Sequence, residues 1–121
     1  MSFKPDFTIA HLGVNCANPD DARACSEAFA FLFGLMTNPE KESEDATFTG
    51  TQIEWLKNGQ RGKNGHIAIA TSNLPSARKY LEDKGLEFVE ESAKYLPDGR
   101  VLVIYAKREI GGFAIHLMQR S

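Results

Sequence analysis

The sequence predicts an α+β fold built from two βαβββ modules related by a pseudo-two-fold axis. Three observations lead there. The chain has 121 residues, which suits one domain with one core. Its halves repeat: "HLGVNCANPDDARACSEAF" from His11 lies over "HIAIATSNLPSARKYLEDK" from His66 without a gap. His11 meets His66, Val14 meets Ile69, Asn18 meets Asn73, and Ala22 and Arg23 meet Ala77 and Arg78. Each half also reads as strand, helix and then strands. A single domain, 1–121, is expected, with module one at about 6–58 and module two at about 64–120.

Each half opens on a strand, "FTIAHLGVN" and "GHIAIAT", rich in β-branched residues and partly alternating. Asn18 and Asn73 stand where a helix cap belongs, with Pro19 and Pro75 suited to the first turn. The first helix, "PDDARACSEAFAFLFG", places Ala22, Cys25, Phe29 and Leu32 about one turn apart. The second, "PSARKYLEDKG", has Ala77, Tyr80 and Leu81 as its apolar face and Gly85 as its C-terminal cap. Strands follow: "ATFTG" and "TQIEWLK" in half one, with "FGLMTN" as a further short strand, then "LEFVEE", "RVLVIYAK" and "GFAIHLMQ" in half two. "LPDGR" is a hairpin turn signalled by Asp98-Gly99. The helices should cover one face of mostly antiparallel sheets.

Composition narrows the function. A net charge of -2 gives no basic surface for nucleic acid or an anionic membrane. No apolar run approaches the roughly 20 residues that span a bilayer, and "MSFKPDFTIAHLG" has no signal-peptide pattern. Cys16 and Cys25 have no metal or redox spacing, so a reduced pair and a cytoplasmic protein are expected. The Gly-rich basic run "NGQRGKNG" fits no phosphate-loop fingerprint and reads as the connector between halves. "EKESED" reads as a charged surface loop.

The three histidines all fall on strands. His11 and His66 are repeat-equivalent. Aligning Ile53 with Ile115 puts Glu54 opposite His116, so each half offers one candidate ligand on its first strand and one on its last. Under a pseudo-two-fold, His11, Glu54, His66 and His116 converge. Strand alternation gives the face of His66 Ala68 and Ala70, that of His11 Gly13 and Asn15, and that of His116 Ala114 and Met118. Small neighbours leave room for a ligand. Three imidazoles and a carboxylate suit a divalent transition metal (Zn, Ni, Fe, Co or Mn) rather than Mg or Ca. Trp55 points away from the Glu54 face, and it and the phenylalanines of the first helix are expected in the core.

"HLGVN" leading to "EAFAFLFGL", "GHIAIAT" with "ARKYLEDKGLEF", and the closing "GGFAIHL" resemble the vicinal oxygen chelate superfamily over nearly the whole chain. That superfamily includes glyoxalase I, extradiol dioxygenases, methylmalonyl-CoA epimerase, and fosfomycin- and bleomycin-resistance proteins. The resemblance implies a half-barrel cleft with helices outside, metal ligands at His11, Glu54, His66 and His116, a small-molecule substrate and a homodimer. Glyoxalase I-like members often carry Glu where this chain has His116, and "REIGG" stands where Asp-Pro-x-Gly is usual; both departures bear on activity rather than fold. "HLGVNC", "KNGHIAIAT", "EESAKY" and "EIGGFAIHLMQ" also resemble the extra domain fused to some bacterial 2-dehydro-3-deoxyphosphogluconate aldolases. This chain has no aldolase barrel, so that activity does not carry over.

Two functions follow from these residues. One is a metal-dependent, glyoxalase-like isomerase or lyase acting on a small substrate with vicinal oxygens. In it the metal polarises a carbonyl and Glu54, released beside the metal, is the general base. Asn15, Tyr105 and Lys107 are further candidates for touching substrate, with Arg100 on the opposite face of its strand. The alternative is a non-catalytic small-molecule-binding or regulatory domain on the same fold, with a structural metal or none, since four protein ligands saturate a tetrahedral zinc. Ring-cleaving dioxygenase chemistry is disfavoured, because a third histidine crowds the open positions that oxygen and substrate need.

Overall fold

The computed structural model describes residues 4–120. The elements run β1 (Thr8–Asn15), α1 (Pro19–Phe33), a 3-10 turn (Pro39–Lys41), β2 (Ala46–Thr49), β3 (Ile53–Leu56), β4 (Gly65–Thr71), α2 (Leu74–Asp83), β5 (Phe88–Tyr95), β6 (Val101–Ile110) and β7 (Phe113–Gln119). Both helix starts follow from the repeated Asn-Pro signal. Asn18 accepts from the Asp21 N–H at 2.8 Å, and Asn73 accepts from the Ser76 N–H at 3.1 Å. Gly34 ends α1 in the left-handed region, which suits a residue without a Cβ.

The strands form one seven-stranded sheet in the order β2-β3-β1-β4-β7-β6-β5. The two half-sheets meet through the antiparallel pairing of β1 with β4. In each module the first strand runs parallel to the last, β1 with β3 and β4 with β7; the remaining pairs are antiparallel. The register carries the repeat. His11 faces Ala68 and Gly13 faces His66, and these pairs exchange under the superposition of the two halves. Likewise Gly13 faces Glu54 where Ala68 faces His116.

Module one is the shorter. The strand expected in "FGLMTN" is reduced to one bridge, Thr37 with Thr49. Asn38 then caps the 3-10 turn by accepting from the Glu40 N–H, and Pro39 takes the chain off the ladder. The REIGG segment is a two-residue hairpin: Ile110 faces Phe113 and Gly111 and Gly112 have φ 63 and 82. That is a turn nearly reserved for glycine.

Both helices pack on one face. Leu74 and Ala77 of α2 pack on Phe88, Ile104 and Leu117. Under α1 lie Cys16, Ala22 and Trp55, with Phe29 against the indole at 5.2 Å between centroids. The Trp55 indole N–H donates to Thr49 Oγ1 at 2.9 Å. Leu32, expected on the buried face of α1, is 64% exposed, and Phe31 and Phe33, expected in the core, are 88% and 62% exposed. The 15-residue helix outruns its four-residue partners β2 and β3. A helix of that length spans roughly 22 Å, strands of that length roughly 13 Å. Its last turn therefore hangs beyond the sheet. Among the described residues, no helix is long and apolar enough to cross a membrane. The face away from the helices is left for the histidines.

Candidate metal centre

Two adjacent rows of residues cross the centre of the sheet. In one, Glu54 on β3, Gly13 on β1, His66 on β4 and Ala114 on β7 are successive partners. In the other, His11 on β1, Ala68 on β4, His116 on β7 and Tyr105 on β6 are partners. Each row has a small residue between two ligand-type side chains, and those side chains lean over it. A Cβ placed on Gly13 would sit 2.1 Å from His66 Cε1 and 2.3 Å from His66 Nδ1. Glycine is required here by steric space, because the imidazole occupies the volume any side chain would fill.

The result is a tight cluster. His11 Nε2 lies 3.2 Å from His66 Nε2. Glu54 Oε1 is 3.1 Å from His66 Nε2 and 3.5 Å from His11 Nε2. The nearest ring nitrogens of His11, His66 and His116 all lie within 4.8 Å of one another. Two donors bound to one metal at 2.0–2.2 Å stand roughly 2.8–3.6 Å apart at tetrahedral or adjacent octahedral positions. The separations among His11, His66 and Glu54 fall in that window, and His116 stands within 4.8 Å of the other two imidazoles. Both ring nitrogens of His116 are buried without a hydrogen-bond partner among the described residues, as is Nδ1 of His66. A buried imidazole with neither nitrogen satisfied is costly. A metal beside the cluster would relieve one nitrogen of His116. The donor set fits the metal expected from the sequence.

The electrostatics favour unprotonated ligands. Burial, and then the neighbouring His66 and His11, push His116 down to about 3. Burial also lowers His11, against the opposing pull of Glu54. For Glu54, burial is the largest influence and acts upward. The hydrogen bond from His66 and the charges of His66, His11 and Lys94 outweigh it, so the carboxyl lies below its usual range and is ionised at neutral pH. Burial and the Glu54 charge raise Tyr105, which keeps its hydroxyl proton.

The cluster floors a cavity of about 210 Å³, whose walls include Asp45, Leu56, Gln60, Lys94, Val103 and Tyr105. That is below the 300–1,000 Å³ usual for drug-sized ligands. A larger cavity of about 450 Å³ lies towards α2, lined by apolar side chains and His116, and has no set of polar groups to act on a substrate.

The structure brings His11, Glu54, His66 and His116 together, with Tyr105 beside His116 at 5.0 Å between ring centroids. Asn15 is taken up otherwise. Its amide donates to Gly62 O at 2.9 Å and its carbonyl accepts from the Gln60 N–H at 3.0 Å, so it pins the connector NGQRGKNG to β1. Lys107 is exposed, and its backbone N–H donates to Glu87 O. Neither Asn15 nor Lys107 lines the cavity. Arg100 pairs with Asp98 at 2.8 Å in the hairpin turn. Sequence reasoning missed Lys94, Gln60 and Asp45. Lys94 carried no signal, because an irregularity in β5 turns it inward. Asp45 sits in what reads as a plain surface loop.

No family model matches the chain, and no curated protein matches it in sequence. Solved structures do resemble it. Methylmalonyl-CoA epimerase from Mycobacterium tuberculosis superposes with TM-score 0.62 at 17% identity, over 93% of this chain and 87% of that one. A hypothetical protein, BH1468, from Bacillus halodurans gives 0.64 at 14% identity, over 96% of each. A Streptomyces coelicolor methylmalonyl-CoA epimerase in complex with 2-nitronate-propionyl-CoA gives 0.60 at 15% identity, over 94% of each. The chain shares its fold with these proteins.

Two expectations follow from the cluster. Gly13→Ala should displace the His66 ring, costing about 1–3 kcal/mol as overpacking does, and lower metal uptake at least tenfold. Urea denaturation and elemental analysis check this; unchanged uptake would show that His66 does not depend on the gap at Gly13. The second concerns pH. His116 is lowered from 6.5 to about 3, so between those values the unfolded chain binds a proton the folded chain does not. Stability of the metal-free protein should therefore fall as pH drops through that window. Urea midpoints at about pH 7.5 and 5.5, straddling the ordinary histidine pKa, measure it, and His116→Gln should flatten the dependence.

Proposed function

We propose that the chain is a metal-dependent isomerase or lyase acting on a small substrate with vicinal oxygens. His11, His66, His116 and Glu54 would hold the divalent transition metal. The observation that carries this reading is the convergence of His11, His66 and Glu54 at 3.1–3.5 Å separations with His116 within 4.8 Å of the other two imidazoles, together with both nitrogens of His116 left without a partner among the described residues. The bound metal supplies Lewis-acid polarisation of a substrate carbonyl.

The chain's own groups supply the rest. Glu54 is ionised, is the most exposed of the four at 21%, and is held on one oxygen by His66 and His11. That leaves its carboxylate facing the cavity, where it can take a proton from the carbon next to the carbonyl and return it to the same or the adjacent carbon. Tyr105 keeps a hydroxyl proton to donate. Burial of the imidazoles excludes water from the floor. The shared fold with proteins named methylmalonyl-CoA epimerases supports an isomerase-type reaction over simple sequestration.

The same reading includes a homodimer. The overhanging end of α1 and the turn after it expose Phe31, Leu32, Phe33, Leu35 and Met36 side by side in sequence, Phe31 at 88%. Contiguous apolar surface of this kind is covered more often than it is left in water, and a second copy is the occupant we assign. Sedimentation should give a dimer at micromolar concentration, and Phe31→Asp should give a folded monomer. A monomeric parent protein would sink the assignment.

For the chemistry, the untagged protein should hold one equivalent of metal, lost in His66→Ala. Proton exchange at C3 of 2-oxobutyrate in deuterium oxide, followed by NMR, should be accelerated by the metal-loaded protein. Glu54→Gln should lower that exchange about 100-fold or more, as loss of a general base does, with metal still bound. Full exchange in Glu54→Gln would place the base elsewhere. Saturating zinc with no exchange would instead favour the structural-metal reading.

A further inference from the structure

The cavity above the cluster has a built cationic rim. β5 and β6 lose register between two pairs, Val89 with Tyr105 and Lys94 with Val103. Extra β5 residues are looped out there. The loop is stapled: Ser92 Oγ accepts from the Tyr105 N–H at 2.9 Å and donates to Val89 O at 2.7 Å. Bulges of this kind re-aim side chains, and this one turns Lys94 from the sheet edge into the cavity wall. Its charge reaches both Glu54 and His116.

A second cation comes from the connector. Asn15 grips the chain at Gln60 and Gly62, on both sides of Arg61. The Arg61 guanidinium is held 5.0 Å from the centre of the Tyr105 ring. That stacking orients it while leaving its N–H donors free. Among the described residues, neither Lys94 nor Arg61 has a carboxylate within ion-pair distance, as is also true of Lys4, Lys41, Lys63, Lys84, Lys107 and Arg108; what sets these two apart is their place beside the cavity. Asp45 is the one opposing charge on the rim. Lys94 in the cavity wall and Arg61 against the wall residue Tyr105, both beside a cluster that would hold a divalent metal, make a site that prefers an anion with more than one charge.

We propose that Lys94 and Arg61 hold a second anionic group of the substrate, so that the site takes a small 2-oxo or 2-hydroxy acid bearing a further carboxylate or phosphate. This rests on the metal-dependent reading above. The oxygens of the 2-oxo or 2-hydroxy acid end lie at the cluster. β5 stands two strands, roughly 10 Å, from β7, and Lys94 reaches back over β6, so the far group is only a few carbons away. Arg61 stacked on Tyr105 receives planar or tetrahedral oxyanions from above. The 210 Å³ volume limits the part inside the cavity to a molecule of this size.

The test uses matched pairs on nickel-loaded protein by titration calorimetry, with metal content measured after each run. Malate is compared with lactate, and 3-phosphoglycerate with glycerate. Each pair shares the 2-hydroxy acid and differs in the second anion. The doubly anionic member should bind at least tenfold tighter. Lys94→Gln combined with Arg61→Gln should reduce that advantage to threefold or less while leaving metal content and lactate binding unchanged. A preference for malate alone, or for 3-phosphoglycerate alone, identifies the second group as carboxylate or phosphate. Equal binding within both pairs, or a preference that survives in the double variant, overturns the proposal. If the protein takes up no metal, the metal-dependent reading fails by itself. The anion pocket is then read with inorganic phosphate on the metal-free protein: a thermal shift lost in the double variant upholds it, and no shift overturns it.

Discussion

The pairing of β1 with β4 is the constraint on which the rest depends. It joins the two half-sheets, and its register decides what meets at the centre. With His11 opposite Ala68 and Gly13 opposite His66, each imidazole leans across a residue too small to resist it. A shift by one residue would turn every one of these side chains to the helix-covered face. The parallel partners β3 and β7 are then held in step, so Glu54 flanks Gly13 and His116 flanks Ala68. Two backbone positions without bulk and four side chains with donor atoms are therefore one arrangement repeated about a pseudo-two-fold.

That arrangement is expensive without a ligand. Three imidazoles and a carboxylate have been drawn onto a partly buried floor, two of the histidines almost wholly buried. Burial, and then the neighbouring His66 and His11, keep His116 neutral, and neither its ring N–H nor its ring lone pair has a partner among the described residues. An apolar replacement would pack as well and remove the penalty. Such a cluster costs the metal-free fold stability that a metal bound there would return.

Much of this was legible in the sequence, and the reason is periodicity. The repeat placed His11 on His66, strand alternation set the ligands on one face, and the Asn-Pro signals located both helices. What escaped was everything that breaks period two. Lys94 lies beyond a looped-out stretch of β5, so counting residues along the strand puts it on no particular face. Arg61 lies in a glycine-rich connector that composition marks as loose, yet Asn15 fastens it with two close hydrogen bonds. Asn15 itself has the right parity for a substrate contact, and only the path of the connector shows where its amide is used. Leu32 has helical spacing for burial, but helix length relative to strand length decided its exposure.

The division between regular and irregular segments also separates two jobs. The floor of the cavity comes from four strands whose registers repeat, and proteins with 14–18% identity share that framework. The rim comes from segments the repeat does not govern: a bulge, a connector and the loop carrying Asp45. A regular sheet offers donor atoms at fixed spacings and so suits a metal, whose demands are the same whatever the substrate. Discrimination between substrates needs charges at spacings a sheet cannot offer, and those arise where strands leave register. In this chain the bulge brings Lys94 into the cavity wall and the connector sets Arg61 against the ring of Tyr105, and the hydroxyl of Ser92 and the amide of Asn15 are spent on fixing those two segments.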